Sequence, residues 1–331
     1  MATGWSQIRA DAGWNDATNV ATLQKTFVEL AKEHARPVNL VPISIQRDGM
    51  RADLMIADDA FAIGAPGDDV RINVSAAAAQ EIADALGYVL PTPTILDAAA
   101  AQASVPVDFF GSELPGRRYD GTTGLDLQRP IALTLGAMEE ESDRLGQFIV
   151  PTKLPTTIGK SWVVSDRLMN PDALPLGKQT GINYGGHTRL KHAGSAAHDQ
   201  GVAPGWRVAQ GPGAAHSVHH TDYSQRLQLV GPMAYVHGGP FGERGRMISL
   251  AELSEHPVGA RLLRPSGKQM PMRHPWYPSP DDGPGPGPGG GGGGGGGATP
   301  PIIAKNSKAP LFAAFATLTF LAMVARWADL P

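Results

Sequence analysis

The chain has no cysteine among its 331 residues. That absence excludes thiolate nucleophiles, CxxC redox chemistry, disulfides and thiolate metal sites. A bound metal would need His, Asp or Glu ligands. An excess of charge of either sign is missing too. Lys and Arg number 28 against 31 Asp and Glu, a formal net charge of −3. No broad field recruits a polyanion, and no nucleic-acid partner is expected. The N-terminal Met-Ala-Thr-Gly-Trp-Ser-Gln-Ile-Arg contains no apolar run of signal-peptide length, which predicts a globular body that stays in the cytoplasm. HExxH, GxSxG and GxxxxGK(S/T) are absent, so three common catalytic or nucleotide signatures are excluded. Thr157-Ile158-Gly159-Lys160-Ser161 ends like a phosphate loop but lacks the upstream glycine, and Pro151 and Pro155 occupy its approach.

What is present is an ordinary folded composition, 42% hydrophobic and 18% charged, over a length that suggests two domains. Val20, Leu23, Phe27 and Leu30 recur at helical spacing and predict a helix over 15–34. Short β-type runs follow at 38–45, 54–63 and 70–74, with turns at Gly49 and at Ala65-Pro66-Gly67-Asp68. Ser75 and Gly87 bracket an alanine-rich helix, and Thr92-Pro93 opens another that runs to about Ala103. These helices look suited to packing and not to chemistry. Residues 1–115 therefore read as one α+β domain, with a boundary in the Gly-, Arg- and Asp-rich stretch 111–130.

A second, His-rich domain is expected over 130–270. It would hold a helix near 139–148, strands near 161–165, 206–208, 223–230 and 233–236, and a last helix over 249–263. The stretches 176–204 and 210–222 read as long loops, which in compact domains are often functional. Beyond it, 275–308 alternates Pro and Gly and then runs through glycine from Gly289 to Gly297. Such a segment cannot bury enough surface to fold, and as a flexible coil it reaches about 30–35 Å.

The tether leads to Ala309–Ala325, 17 residues without a charge, which as a helix rise about 26 Å. Leu311, Phe312, Phe315, Leu318, Phe320, Leu321 and Val324 together favour bilayer insertion by about 2–4 kcal/mol, less what Pro310, Thr317 and Thr319 subtract. A single-pass anchor over 309–326 is expected, with Lys305 and Lys308 favouring a cytoplasmic body. A buried core helix is the other reading of this segment.

Seven of the ten histidines lie between His187 and His237. If a strand begins near His220, then His220, Asp222, Ser224 and Arg226 share one face, opposite Tyr223, Leu227 and Leu229. Two chemistries fit these residues. His187, His216, His220 and Asp222 could hold a divalent metal such as zinc that activates water. Without a metal, a histidine oriented by Asp222 could act as general base on water or on Ser224, with Lys160, Arg226 or Tyr223 facing developing negative charge. The same polar row is also what the solvated face of a half-buried strand looks like.

Asn183-Tyr184-Gly185-Gly186-His187 and the later His220-Thr221-Asp222-Tyr223-Ser224 resemble a family of bacterial proteins that carry YGxH and HxDYS motifs. Ile158-Gly159-Lys160-Ser161-Trp162-Val163 and Leu90-Pro91-Thr92-Pro93 are similar to that family as well. The resemblance spans about 38–265. It implies a shared set of His187, His220, Asp222, Tyr223 and Ser224, with Lys160 and His216 as its outer members, but no defined reaction. Family members often carry Trp or another large residue where this chain has Gly186, and His219 is not part of the shared pattern. The expectation is a membrane-tethered hydrolase, metal-assisted or of His-Asp acid–base type. The alternative is a non-catalytic interaction module, of phage or secretion origin, displayed on a tether.

Overall fold

The structure is a computed structural model and describes residues 3–15, 18, 20–107, 113–114, 117–118, 135–189, 206–221 and 225–275. Along the chain, α1 (Trp5–Ala12) and α2 (Val20–His34) precede β1 (Leu40–Arg47), β2 (Met50–Ala57), β3 (Ala62–Ala65) and β4 (Asp68–Arg71). Then come α3 (Ala76–Leu86), α4 (Pro93–Ala101), β5 (Glu113–Leu114), β6 (Arg117–Arg118) and α5 (Leu135–Gly146). The second half holds β7 (Lys160–Trp162), β8 (Thr180–Arg189), β9 (Trp206–Ser217), β10 (Gln225–Arg226), β11 (Val230–His237), β12 (Arg246–Ser249), α6 (Leu250–Glu255) and α7 (Ala260–Leu263). The fold is α+β.

Local signals account for several of these elements. On α2, Leu23, Phe27 and Leu30 are buried, as their spacing predicts. The Ser75 hydroxyl accepts from the Ala78 amide at 3.2 Å, and Gly87 closes α3 in the left-handed conformation that glycine adopts without steric cost. Thr92 caps α4, Pro93 fills its first turn, and the Thr92 hydroxyl donates to the Leu263 carbonyl, fastening α4 to α7.

Two four-stranded sheets carry the core. One runs β1-β2-β11-β12, antiparallel throughout; the other runs β10-β7-β8-β9, with β10 parallel to β7. The first sheet corrects the expected domain boundary. β2 pairs with β11 from Val230↔Ile56 to His237↔Arg51, so a cut at 111–130 would split a sheet, and residues 1–277 group as one compact unit. Strand partners are chosen by matching apolar faces and not by closeness in sequence. Edge strand β1 is covered by a side chain: the Gln102 amide accepts from Ser44 N–H and donates to Ser44 C=O, as a neighbouring strand would.

Two further expectations change. The loops read at 176–204 and 210–222 hold β8 and the part of β9 beyond the expected 206–208 strand, and their glycines masked the pattern. The single helix over 249–263 is two helices, because Pro257 cannot continue the first. His256 Nδ1 accepts from the Val258 and Gly259 amides at 3.2 and 2.9 Å at this break, just before α7 begins. Among the described residues no helix is long and apolar enough to cross a membrane. Pro/Gly linker residues 276–308 and the 309–326 segment lie outside the described residues.

Candidate functional site

The strongest polar constellation on β8 is built through two glycines. Strand alternation would put Tyr184 and His187, three apart, on opposite faces. Gly185 and Gly186 sit at φ +123° and +71°, where the chain turns so that both side chains reach one group. That group is Asp97, on α4. Tyr184 Oη donates to Asp97 Oδ1 at 2.6 Å, and His187 Nε2 lies 2.8 Å from the same oxygen. The Tyr184 and His187 rings meet edge to face at 5.5 Å between centroids.

Tyr184 is 1% exposed and His187 3%, while the Asp97 side chain keeps 18%. Burial, followed by the Asp97 charge and its hydrogen bond, pushes the Tyr184 phenol far above its ordinary value, so it remains a donor. In the tautomer in which His187 Nε2 donates to Asp97, Nδ1 is left as an acceptor. A Cβ built on Gly185 would stand 3.9 Å from that Nδ1. His187 also lines a crevice with Thr157, Gly159, Ser161 and Gln228. Its volume is about 10 Å³, room for roughly one water.

The sequence-predicted residues distribute as follows. Lys160 pairs with Gly185 across β7–β8 and with Gln225 across β7–β10, so it shares a rung two residues from His187. His216 pairs with Gly181 at the other end of β8. Six residues of strand separate Gly181 from His187, on the order of 20 Å. His220 stacks on His216 at 4.1 Å with 6° between the rings. His187 therefore does not share a metal with His216, which corrects that ligand set. Among the described residues no three His, Asp or Glu side chains gather as a metal site. His220 belongs to a turn after β9, its N–H donating to Ser217 C=O, so no strand begins there. Asp222, Tyr223 and Ser224, together with His192 and His198, lie outside the described residues.

Arg226 is also corrected. It does not join a solvated row: it is 2% exposed, donates to Asn73 Oδ1, and places Nη2 2.9 Å from Glu141 Oε2. Sequence reasoning missed Asp97. The α4 helix offers a lone acid among alanines, 90 residues from its histidine, and no spacing links the two. Compared with protein-family models, with curated proteins and with solved structures, the chain matches none.

Proposed function

We propose that the folded body is an acid–base catalyst of hydrolytic type, carried to a membrane by its C-terminal segment. The observation that supports this reading is the shared Asp97 oxygen, which contacts His187 through Nε2, on a histidine that lines a crevice of one-water size. His187 takes a proton from water there, or from a substrate hydroxyl, while Asp97 stabilises the imidazolium that forms. Tyr184 is committed to Asp97 and holds the carboxylate in place. Lys160 supplies positive charge close to the glycine turn. The test is hydrolysis of a panel of chromogenic carboxylic, phosphoric and glycosidic esters by wild type and by His187→Gln. Turnover of one class that disappears in the variant supports the reading. Equal rates in both proteins, or no turnover of any class, reject it.

A second reading rests on burial. With His187 only 3% exposed, the same triad can serve as a polar rivet between α4 and β8, in a non-catalytic module displayed on a tether. In that case His187→Gln lowers stability and nothing else. The anchor itself is tested by fractionation. Full-length protein is expected with membranes and a chain ending at Lys308 in the soluble fraction; identical partitioning rejects the anchor.

A further inference from the structure

His187 is 3% exposed, so an acid–base role requires a part of the structure that opens. Residues 147–153 join α5 to the strip, Pro155–Gly159, that walls the His187 crevice. The Lys153 amide donates to the Val150 carbonyl at 3.0 Å, closing a β-turn with Pro151 second and Thr152 third. Thr152 has φ +65°, left-handed backbone that suits glycine at this turn position and that a β-branched side chain resists. Asp48, the other described non-glycine residue with positive φ, is of a type that tolerates it.

A single buried group holds the strained turn. Thr152 N–H donates to Asp58 Oδ2 at 2.7 Å. Asp58 is 2% exposed, and among the described residues it has no ion pair. Its neighbour Asp59, in contrast, is paired with Arg36 and Arg71. Burial pushes the Asp58 carboxyl above its ordinary value, and the Thr152 amide is the largest cause that opposes this. The Gln147, Phe148 and Ile149 amides only extend α5, donating to the Asp143, Leu145 and Gly146 carbonyls. Beyond the turn, Leu154 C=O accepts from the Ser104 and Val105 amides, and Thr156 exchanges two hydrogen bonds with Val107. Both ends are thus fixed, while the middle is held by Asp58. Ile149 packs on a small apolar cluster of Ala60, Leu145 and Ile158, separate from the main core. Satellite clusters of this kind have few contacts and open locally. Ile158 belongs both to this cluster and to the wall of the His187 crevice.

We propose that residues 147–153 are a gate to the His187 crevice, held shut by the Asp58 carboxylate on the Thr152 amide. The purpose of the gate rests on the acid–base reading; its motion does not. A chain without cysteine allows that motion to be measured directly. Ile158→Cys places a single thiol under the gate, and Val150→Cys places one at a position 40% exposed on its surface. Maleimide labelling of each would be followed at one pH, on the full chain in neutral detergent. Asp58→Asn replaces a charge-assisted bond by a neutral one of about half the strength, and should speed labelling at Ile158→Cys about tenfold. Thr152→Gly removes the strain and should slow that labelling about threefold. Neither change should alter the rate at Val150→Cys. Rates at Ile158→Cys that fail to move in these opposite directions overturn the proposal. So does an equal change at both thiols, which would mean general unfolding. The experiment contains no substrate, so its outcome is independent of the ester panel, and either reading can fail while the other stands.

Discussion

Asp97 and His187 stand 90 residues apart in the chain and 2.8 Å apart in space, joined at an oxygen that also accepts from Tyr184. One carboxylate oxygen thus fixes two side chains of a strand to a helix capped by its own Thr92. The arrangement gives the region its stability and, in the proposed reading, its reactivity, and the two contributions can be separated by substitution.

Tyr184→Phe removes one donor from Asp97 and leaves the His187 contact in place. The expected cost is about 1 kcal/mol, seen as a fall of roughly 2–4 °C in the unfolding midpoint. Asp97→Asn keeps the shape but offers an amide where His187 needs a carboxylate. For any ester the wild type hydrolyses, kcat should fall by about 10³–10⁴ with stability changed far less. Parallel loss of both quantities would favour the rivet reading.

Gly186 is at φ +71°, a conformation that costs a residue with a side chain about 1–2 kcal/mol. Gly186→Ala should lower stability by that amount and separate the His187 ring from Asp97, which a change in the His187 side-chain NMR shift would register. An unchanged shift would show that the turn does not depend on glycine.

Arg226 carries its charge in the interior against Glu141. Arg226→Leu leaves the carboxylate without its guanidinium, and removing one partner of a buried pair costs about 3–5 kcal/mol. Denaturant unfolding should show a midpoint shift of that size. A loss below 1 kcal/mol would place the pair in contact with solvent.

His274 is buried, its backbone N–H donating to Gln80 Oε1 at 3.0 Å and its ring Nε2 lying 2.9 Å from the Thr180 carbonyl. Desolvation is the main cause that moves its pKa below the ordinary value, and nearby Arg273 adds to it. The folded state therefore binds this proton less well than the unfolded state. Its contribution to stability is present above the unfolded value of about 6.5 and is lost as pH falls through the depressed folded value. Thermal unfolding followed from pH 8 to pH 5 should show a decline that His274→Gln flattens. An equal decline in the variant would assign the pH dependence to other groups.

Local chemistry was legible along the chain. Ser75, Gly87, Thr92 and Pro93 mark helix ends by satisfying or removing backbone donors within a few residues, and those helices form where the signals stand. The glycine-rich strands β8 and β9 were not legible. Gly181, Gly185, Gly186, Gly211 and Gly213 supply no side chain to alternate, and their strand character comes from paired neighbours.

By itself the sequence determined the absence of thiol chemistry, the capped helices and the crowding of histidines between His187 and His237. Only the tertiary structure decided that His187 meets Asp97. It brings an aspartate from a distant alanine-rich helix to His187 and pairs His216, with His220 stacked on it, against the other end of β8. The reason is physical: caps and turns are settled by bonds between near neighbours. Pairing between distant groups depends on which apolar faces bury together, and a linear pattern does not encode that match in any short spacing.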